Sequence, residues 1–335
     1  MKLVYYVNWN ISHISYFINI FNIVPGPLIF LAHVRFNKMY QYFKSRFTNV
    51  RILKSMKELK DYNPDGIIYT DFNEILKGSW LNVFIGHGDL ISCRPKLKCW
   101  TYQNITKLEI YDILVTAGKV QFEKYKGMSP NSNCYILGNP GYDKMIKYNF
   151  FDNNRKVIVY TPTWVKDLNL VHLFYEYLPR LLSEYNIIVV FHSLFLEVAS
   201  NLTIFKKIVS MKNPGLKILY RTNFNKYLNS TNSTTIIDES DLLSVMNSVD
   251  IQISDSMSSA MQFGFYLKKI VLILDKEMTY PNLQKELNAK LKDPNLNNTI
   301  TSLGIEYIYD DVFKFTDGVS SQRVLSKIKE LLIKN

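Results

Sequence analysis

Cysteine is scarce in this chain. Cys93, Cys99 and Cys134 are odd in number, and none of them stands at the short spacing of a zinc or C-x-x-C redox site. Reduced, structural thiols in a cytosolic protein are the expectation. Sustained heptads, collagen-like triplets and an internal repeat of recognisable identity are also missing, which excludes coiled-coil, fibrous and solenoid architectures. The Lys-containing phosphate loop of P-loop ATPases does not occur, nor does an aromatic–basic RNA-binding motif. No pair of His or acidic residues has the spacing of a known metal-ligand set, so neither a metal nor another cofactor is expected.

Charge is missing locally. From Leu3 to Val34 there is no Asp, Glu, Lys or Arg, a length that could cross a bilayer. Asn8, Asn10, Asn19 and Asn22 interrupt this stretch, and Pro25-Gly26-Pro27 breaks any helix within it. No small-residue cleavage site follows a short apolar run. The stretch therefore reads as two buried strands with an apolar helix between them.

What is present is an ordinary globular composition. The chain has 335 residues, 47% apolar and 21% charged, which rules out wholesale disorder. A chain of this size forms about two domains and buries about three quarters of its extended surface. Lys and Arg outnumber Asp and Glu by 40 to 29, a formal charge of +11. Such a chain attracts polyanions: phosphorylated substrates, an anionic membrane face or nucleic acid. The basic residues are scattered, so charge alone does not choose among them.

Apolar runs alternate with helical periods. Strands are predicted at Leu3–Val7, Leu28–Ala32, Val50–Leu53, Gly66–Tyr69, Val83–Ile85, Ile113–Thr116 and Cys134–Leu137, with helices at His13–Ile23, through Arg46, at Ser55–Asp61 and at Gln121–Lys126. Residues 148–155 have no period and read as a linker. The pattern restarts with strands at Val157–Tyr160, Ile187–Phe191, Leu216–Tyr220, Thr235–Ile237, Ile251–Ser254 and Val271–Leu274. Helices are predicted at Leu168–Leu182, Val198–Met211, Leu242–Ser248 and from Ser256, and a basic amphipathic one at Val319–Ile333. The fold class is α/β, with two doubly wound, Rossmann-like domains facing across a cleft, over residues 1–148 and 156–335. The C-terminal helix is a candidate to pack back on the first domain.

In open α/β sheets ligands bind beyond the carboxyl ends of the strands. Five predicted strands run into small, polar or imidazole-bearing residues. These are Gly86-His87-Gly88-Asp89, Gly138-Asn139-Pro140-Gly141, Thr161-Pro162-Thr163-Trp164, His192-Ser193 and Asp255-Ser256-Met257-Ser258-Ser259. An imidazole held between glycines at His87 can take a proton from a hydroxyl, since its pKa lies near neutrality. His192, after a wholly apolar strand, can donate to a phosphate oxygen. Ser256, Ser258 and Ser259 fall at a predicted helix start, where N–H groups and hydroxyls suit an anion. Thr161 and Thr163 offer two hydroxyls on a turn stiffened by proline. Each position also has a bland reading: a turn or buried histidine, an ordinary helix cap, a strand-ending turn. Asp238, Glu239 and Asp241 read as acids at a helix start, and His13, His33 and His172 as structural residues.

Together these motifs resemble the CDP-glycerol glycerophosphotransferase family, which includes teichoic acid polymerases and capsule enzymes. Gly86-His87-Gly88 is similar to that family's His-Gly-Thr turn, with Asp89 where Thr is usual. Tyr160-Thr161-Pro162-Thr163-Trp164 is similar to its Tyr-Thr-Pro-Thr-Trp-Arg motif, with Val165 in place of Arg. The motif Gly138-Asn139-Pro140-Gly141-Tyr142-Asp143, His192-Ser193 and the serines after Asp255 complete the likeness. Several of these motifs recur across GT-B enzymes, including the UDP-N-acetylglucosamine 2-epimerase type.

The resemblance implies a GT-B transferase that moves a polyol phosphate from CDP-glycerol or CDP-ribitol to an acceptor hydroxyl, releasing CMP. His87 would be the base. His192 and the serines would hold the diphosphate, and Thr161, Thr163, Asn139 and Gln262 would line the donor site. The acceptor would be a polysaccharide or lipid-linked chain. The basic helices at Lys38–Arg46 and Val319–Lys334 would lie at the inner face of the plasma membrane, and no nucleic acid would be bound. The alternative is a GT-B glycosyltransferase using a UDP- or CMP-sugar. A third reading is a non-catalytic basic protein that binds nucleic acid or membrane.

Overall fold

The computed structural model of the chain describes residues 1–7, 14–29, 50–70, 75–86, 108–143, 145, 147–163, 169–192, 195, 199–221, 234–237, 242–255, 266–293, 299–302 and 305–334. It divides into two units, Met1–Lys144 with Asp310–Asn335, and Met145–Tyr309.

The first unit contains β1 (Leu3–Tyr6), α1 (Ile14–Ile23), β2 (Leu28–Ile29), β3 (Ile52–Leu53), α2 (Met56–Tyr62), β4 (Gly66–Tyr69), β5 (Leu81–Phe84), β6 (Ile113–Thr116), α3 (Lys119–Met128) and β7 (Cys134–Ile136). Its seven strands form one parallel sheet in the order β3-β2-β1-β4-β5-β6-β7. The strands are mostly apolar, as burial on both faces requires. Val4, Ile67, Tyr69, Phe84 and Leu114 point into one core with Leu59, Trp80, Tyr111 and Tyr125. On β1, Tyr5 meets Phe17 and Phe21 of α1 at ring distances of 5.2 and 5.3 Å.

Local sequence explains the helix ends. Ser55 caps α2 by accepting the Glu58 N–H at 3.2 Å, while Glu58 Oε2 accepts the Lys54 N–H at 3.0 Å. This reciprocal pattern satisfies donors that a helix start leaves open. Strand β5 begins earlier than its apolar run suggests, because Asn82 is buried in it. Asn82 Oδ1 accepts the Tyr69 hydroxyl at 3.0 Å and its N–H donates to Asp112 at 2.7 Å. The Tyr69 hydroxyl makes burial of the side-chain amide tolerable, while Asp112 holds the main-chain N–H.

The charge-free N-terminal stretch supplies β1, α1 and β2. Tyr16, Phe17, Ile20 and Phe21 of α1 are buried, and Asn19 donates to the Pro140 carbonyl at 2.8 Å. No described helix is long and apolar enough to cross a membrane.

The chain rejoins this unit at its end through α9 (Ser320–Lys334). Val324, Leu325 and Ile328 of α9 are buried, so its apolar face packs within the first unit. Lys327 and Lys334 pair with Glu330, and Lys327 lies over the Tyr135 ring at 4.3 Å. The other basic helix expected near a membrane, Lys38–Arg46, lies outside the described residues.

The second unit holds β8 (Val157–Thr161), α4 (Val171–Glu184), β9 (Asn186–Phe191), α5 (Ala199–Val209), β10 (Leu216–Arg221), β11 (Thr234–Ile237), α6 (Leu242–Asn247), β12 (Ile251–Ser254), β13 (Ile270–Ile273), α7 (Tyr280–Lys292), β14 (Thr299–Ser302) and β15 (Ile305–Ile308). A short helix, α8 (Tyr309–Val312), precedes α9. Six parallel strands run β11-β10-β9-β8-β12-β13, and β14 and β15 form a separate antiparallel pair. Helix α4 buries Val171, Phe174, Leu178 and Leu181, an i, i+3, i+7, i+10 row, against β8 and β9. Phe174 stacks on Tyr160 at 3.7 Å. Helix α7 and the β14–β15 pair occupy a stretch where the pattern predicts no element. Helix α7 buries only Leu283 and Leu287, too narrow a stripe to read, and depends on the Thr279 cap.

Candidate functional site at the strand ends of the second unit

Chain order reverses once in the six-stranded sheet. Strands β8, β9, β10 and β11 run outward one way, and β12 and β13 lie on the other side of β8. The switch point is therefore the β8–β12 boundary, and in open α/β sheets ligands bind at the carboxyl ends of the strands beside such a point. Strands β9, β8 and β12 are neighbours there, and they end at His192, at Thr161-Pro162-Thr163 and at Asp255. The sheet thus brings three of the predicted turns to one edge.

The residues at this edge divide by what their polar atoms do. Thr161 is buried, and its Oγ1 accepts from Gln252 Nε2 at 3.4 Å, while its carbonyl accepts the Ser254 hydroxyl at 2.9 Å. Gln252 is itself fully buried, and its Oε1 has no partner. Thr163 donates its N–H to Asp255 Oδ1 at 2.7 Å. Asp255 Oδ2 accepts from the Leu170 N–H at 3.0 Å and from the Tyr160 hydroxyl at 3.3 Å. Burial pushes the Asp255 carboxyl up to about 7, while these hydrogen bonds pull it down. Burial also raises the Tyr160 phenol well above its ordinary value, and the Asp255 charge adds to this.

A chain of amides carries the arrangement to the next turn. Asn169 Nδ2 donates to the Thr163 carbonyl at 2.9 Å and to Asn201 Oδ1 at 3.3 Å. Asn201 Nδ2 donates to the Phe195 carbonyl at 2.9 Å, and the Phe195 N–H donates to the His192 carbonyl at 2.9 Å. His192 is half-buried. The turns after β8 and β9 are therefore held by one hydrogen-bonded series. Sequence reasoning did not single out Asn169, Asn201 or the acceptor role of Asp255. An Asp directly after the short strand Ile251–Ser254 was the available signal for the last.

Asn139 belongs to the first unit, where its Oδ1 accepts the Gly141 N–H at 2.9 Å and closes the turn Pro140–Tyr142. In the same motif Asp143 accepts the Ser320 and Ser321 N–H groups at the start of α9. His87, Ser256, Ser258, Ser259 and Gln262 lie outside the described residues, as do Trp164, Ser193, Asp89, Asp238, Glu239, Asp241, His13 and His33. His172 is exposed on α4. Cys134 is buried on β7 as a free thiol, and Cys93 and Cys99 are also outside the described residues.

No protein-family model matches the chain, and no curated protein matches its sequence. Solved structures do match its fold. A Listeria monocytogenes protein assigned as a UDP-N-acetylglucosamine 2-epimerase superposes with a TM-score of 0.58 at 11% identity, over 100% of this chain and 97% of that one. The UDP-GlcNAc 2-epimerase of Neisseria meningitidis bound to UDP-GlcNAc gives 0.57 at 14% identity, over 100% of both chains. The enzyme of Methanocaldococcus jannaschii in complex with UDP-GlcNAc and UDP gives 0.56 at 13% identity, over 98% of this chain and 100% of that one. The fold is thus α/β of GT-B type, with two Rossmann-like units.

These neighbours correct one expectation. The chain's fold relatives are UDP-GlcNAc 2-epimerases, not CDP-glycerol glycerophosphotransferases, and CDP-glycerol and CDP-ribitol lose their support as donors. The reason is visible in the motifs. They are strand-end turns, and several of their polar groups hold backbone: Asn139 and Asp143 accept N–H groups, and the Thr163 N–H goes to Asp255. Such residues mark the turns of a shared fold, not a particular donor.

Proposed function

We propose that this chain is an enzyme acting on a nucleoside-diphosphate sugar, with the nucleotide at the strand-end turns of the second unit and the sugar passed to an acceptor hydroxyl. The observation that carries this reading is the meeting of the β9, β8 and β12 turns at the switch point of the six-stranded sheet. The likeness of the whole chain to structures that hold UDP-GlcNAc favours UDP as the nucleotide. The formal charge of +11 suits a phosphorylated substrate.

In this reading the acceptor oxygen attacks the anomeric carbon, and the bond from that carbon to the β-phosphate oxygen breaks. The acceptor proton passes to His87, and UDP leaves with the bonding electron pair. The departing diphosphate gains negative charge, so donors fixed beforehand lower the barrier. His192 and Thr163 are the candidate donors among the described residues. Ser256, Ser258, Ser259 and Gln262 are candidates by sequence, and Thr161 acts through its place in the sheet. A polysaccharide or lipid-linked chain is the proposed acceptor class.

Epimerisation of the sugar is the second reading, favoured by the named epimerases among the neighbours. A thermal-shift series with UDP, CMP, UDP-sugars and CMP-sugars, followed by product analysis, tests both. UDP at about a hundred times its dissociation constant should stabilise the fold by about 2.7 kcal/mol. UDP release that depends on an added acceptor marks transfer. A new isomer formed from UDP-GlcNAc alone marks epimerisation. Failure of every UDP- and CMP-linked compound to raise the melting temperature overturns the nucleotide-sugar reading.

A further inference from the structure

One buried titratable group at this sheet end takes no part in the chemistry above. Asp255 is nearly inaccessible to solvent, directly after β12. Its Oδ1 accepts the N–H of Thr163 and its Oδ2 the N–H of Leu170, at 2.7 and 3.0 Å. Thr163 follows β8 and Leu170 directly precedes α4. A single carboxylate therefore ties the chain just after β8 to the residue just before α4. Among the described residues, Tyr160 on β8 is the titratable group that bonds it, as a donor at 3.3 Å. Asn169, directly before Leu170, leads through Asn201 and Phe195 to His192.

We propose that Asp255 is the positioning residue of the nucleotide site: by accepting the N–H groups of Thr163 and Leu170 it sets the end of β8 and the approach to α4, and through Asn169, Asn201 and Phe195 the place of His192, against the diphosphate of the sugar nucleotide. This rests on the nucleotide-sugar reading and names the residue that sets the site's geometry. A carboxylate is needed because both of its oxygens accept. An amide has one acceptor, and its NH₂ would face the N–H or hydroxyl donors of the clamp. A donor array displaced by a fraction of an ångström loses much of its hold on the transferred group.

The same two strands carry an internal control. At their other end Asp250 Oδ2 accepts the Val157 N–H at 2.8 Å, an acid-to-backbone bond remote from the turns. The experiment measures UDP affinity by titration calorimetry for the wild type, Asp255→Asn, Asp255→Glu and Asp250→Asn. Tryptic cleavage after Lys166, which lies between Thr163 and Leu170 in sequence, is followed in parallel. Asp255→Asn should weaken UDP binding by about tenfold and speed cleavage after Lys166 by a similar factor, with Asp250→Asn within about twofold of wild type in both.

Asp255→Glu keeps charge and acceptors but adds a methylene. It should fold where the Asn variant does not, and still lose UDP affinity several-fold. Wild-type affinity in Asp255→Glu together with unchanged Lys166 cleavage in either variant overturns the proposal, while UDP binding by the wild type leaves the nucleotide-sugar reading standing. Equal losses in Asp250→Asn and Asp255→Asn also overturn it, since a general loss of stability then explains both. No UDP binding by the wild type overturns the nucleotide-sugar reading, and the positioning role with it.

Discussion

A carboxylate buried at the end of β12 meets two opposed demands. Removal from water favours the neutral acid, while two backbone N–H groups and the Tyr160 hydroxyl favour the anion. Burial prevails, and the group titrates at about 7 in the folded chain. An aspartate in an unfolded chain titrates near ~4. The folded form therefore binds the proton more tightly between these values. Stability from this group is fully present below about pH 4 and is lost as pH rises to about 7, by at most about 1.4 kcal/mol per pH unit. Asparagine at 255 cannot titrate. In urea unfolding, the stability advantage of the wild type over Asp255→Asn should shrink from pH 5 to pH 8. A difference that stays constant across that range would mean that the carboxyl is ionised throughout.

Elements in the first unit depend on a similar device at lower stakes. Helix α9 begins with two N–H groups, those of Ser320 and Ser321, on the Asp143 carboxylate. A negative charge at a helix start satisfies open donors and opposes the helix dipole favourably. Just upstream, Gly138 has φ +85° and faces the Ser320 side chain, so a Cβ there would be strained and would also strike Ser320. Asp143→Ala should cost about 1–2 kcal/mol, and Asp143→Asn less, since one acceptor remains. Amide hydrogen exchange at Ser320 and Ser321 is the direct readout. Unchanged protection of those two amides in Asp143→Ala would remove Asp143 as the cap.

For the whole molecule, the C-terminal segment is part of a unit formed mostly by the first 144 residues. Val312, Phe313, Val324, Leu325 and Ile328 are buried in it, each contributing about 1.5–3 kcal/mol of transfer free energy. Removal of residues 310–335 should therefore raise hydrogen exchange in β6 and β7, far away in sequence, and leave β8, β9 and β12 protected. Exchange that rises first in the second unit would contradict the division of the chain.

The charge-free stretch from Leu3 to Val34 shows how far local pattern reaches. Its apolar runs, its prolines and the 3.6-residue period of α1 give the element types before any tertiary contact is known, because burial on both faces needs continuous apolar strands. Strand β5 was legible only in part. Asn82 is polar by sequence, and its burial depends on Tyr69 and Asp112. The predicted turn residues divide in the same way. The strand-end rule led to His192, Thr161 and Thr163, yet whether a hydroxyl there faces a ligand or a neighbouring strand depends on what lies across from it.

Residue types and their periods thus determined the succession of strands and helices, the α/β class and the turns where chemistry could lie, since each rests on neighbours within a few positions. Tertiary structure alone decided that β12 inserts beside β8, that Asp255 reaches Thr163 from 92 positions away, and that Asp143 caps a helix 177 positions on. Hydrogen bonds of that span constrain one residue at each end and leave nothing periodic in between, so no local pattern can carry them.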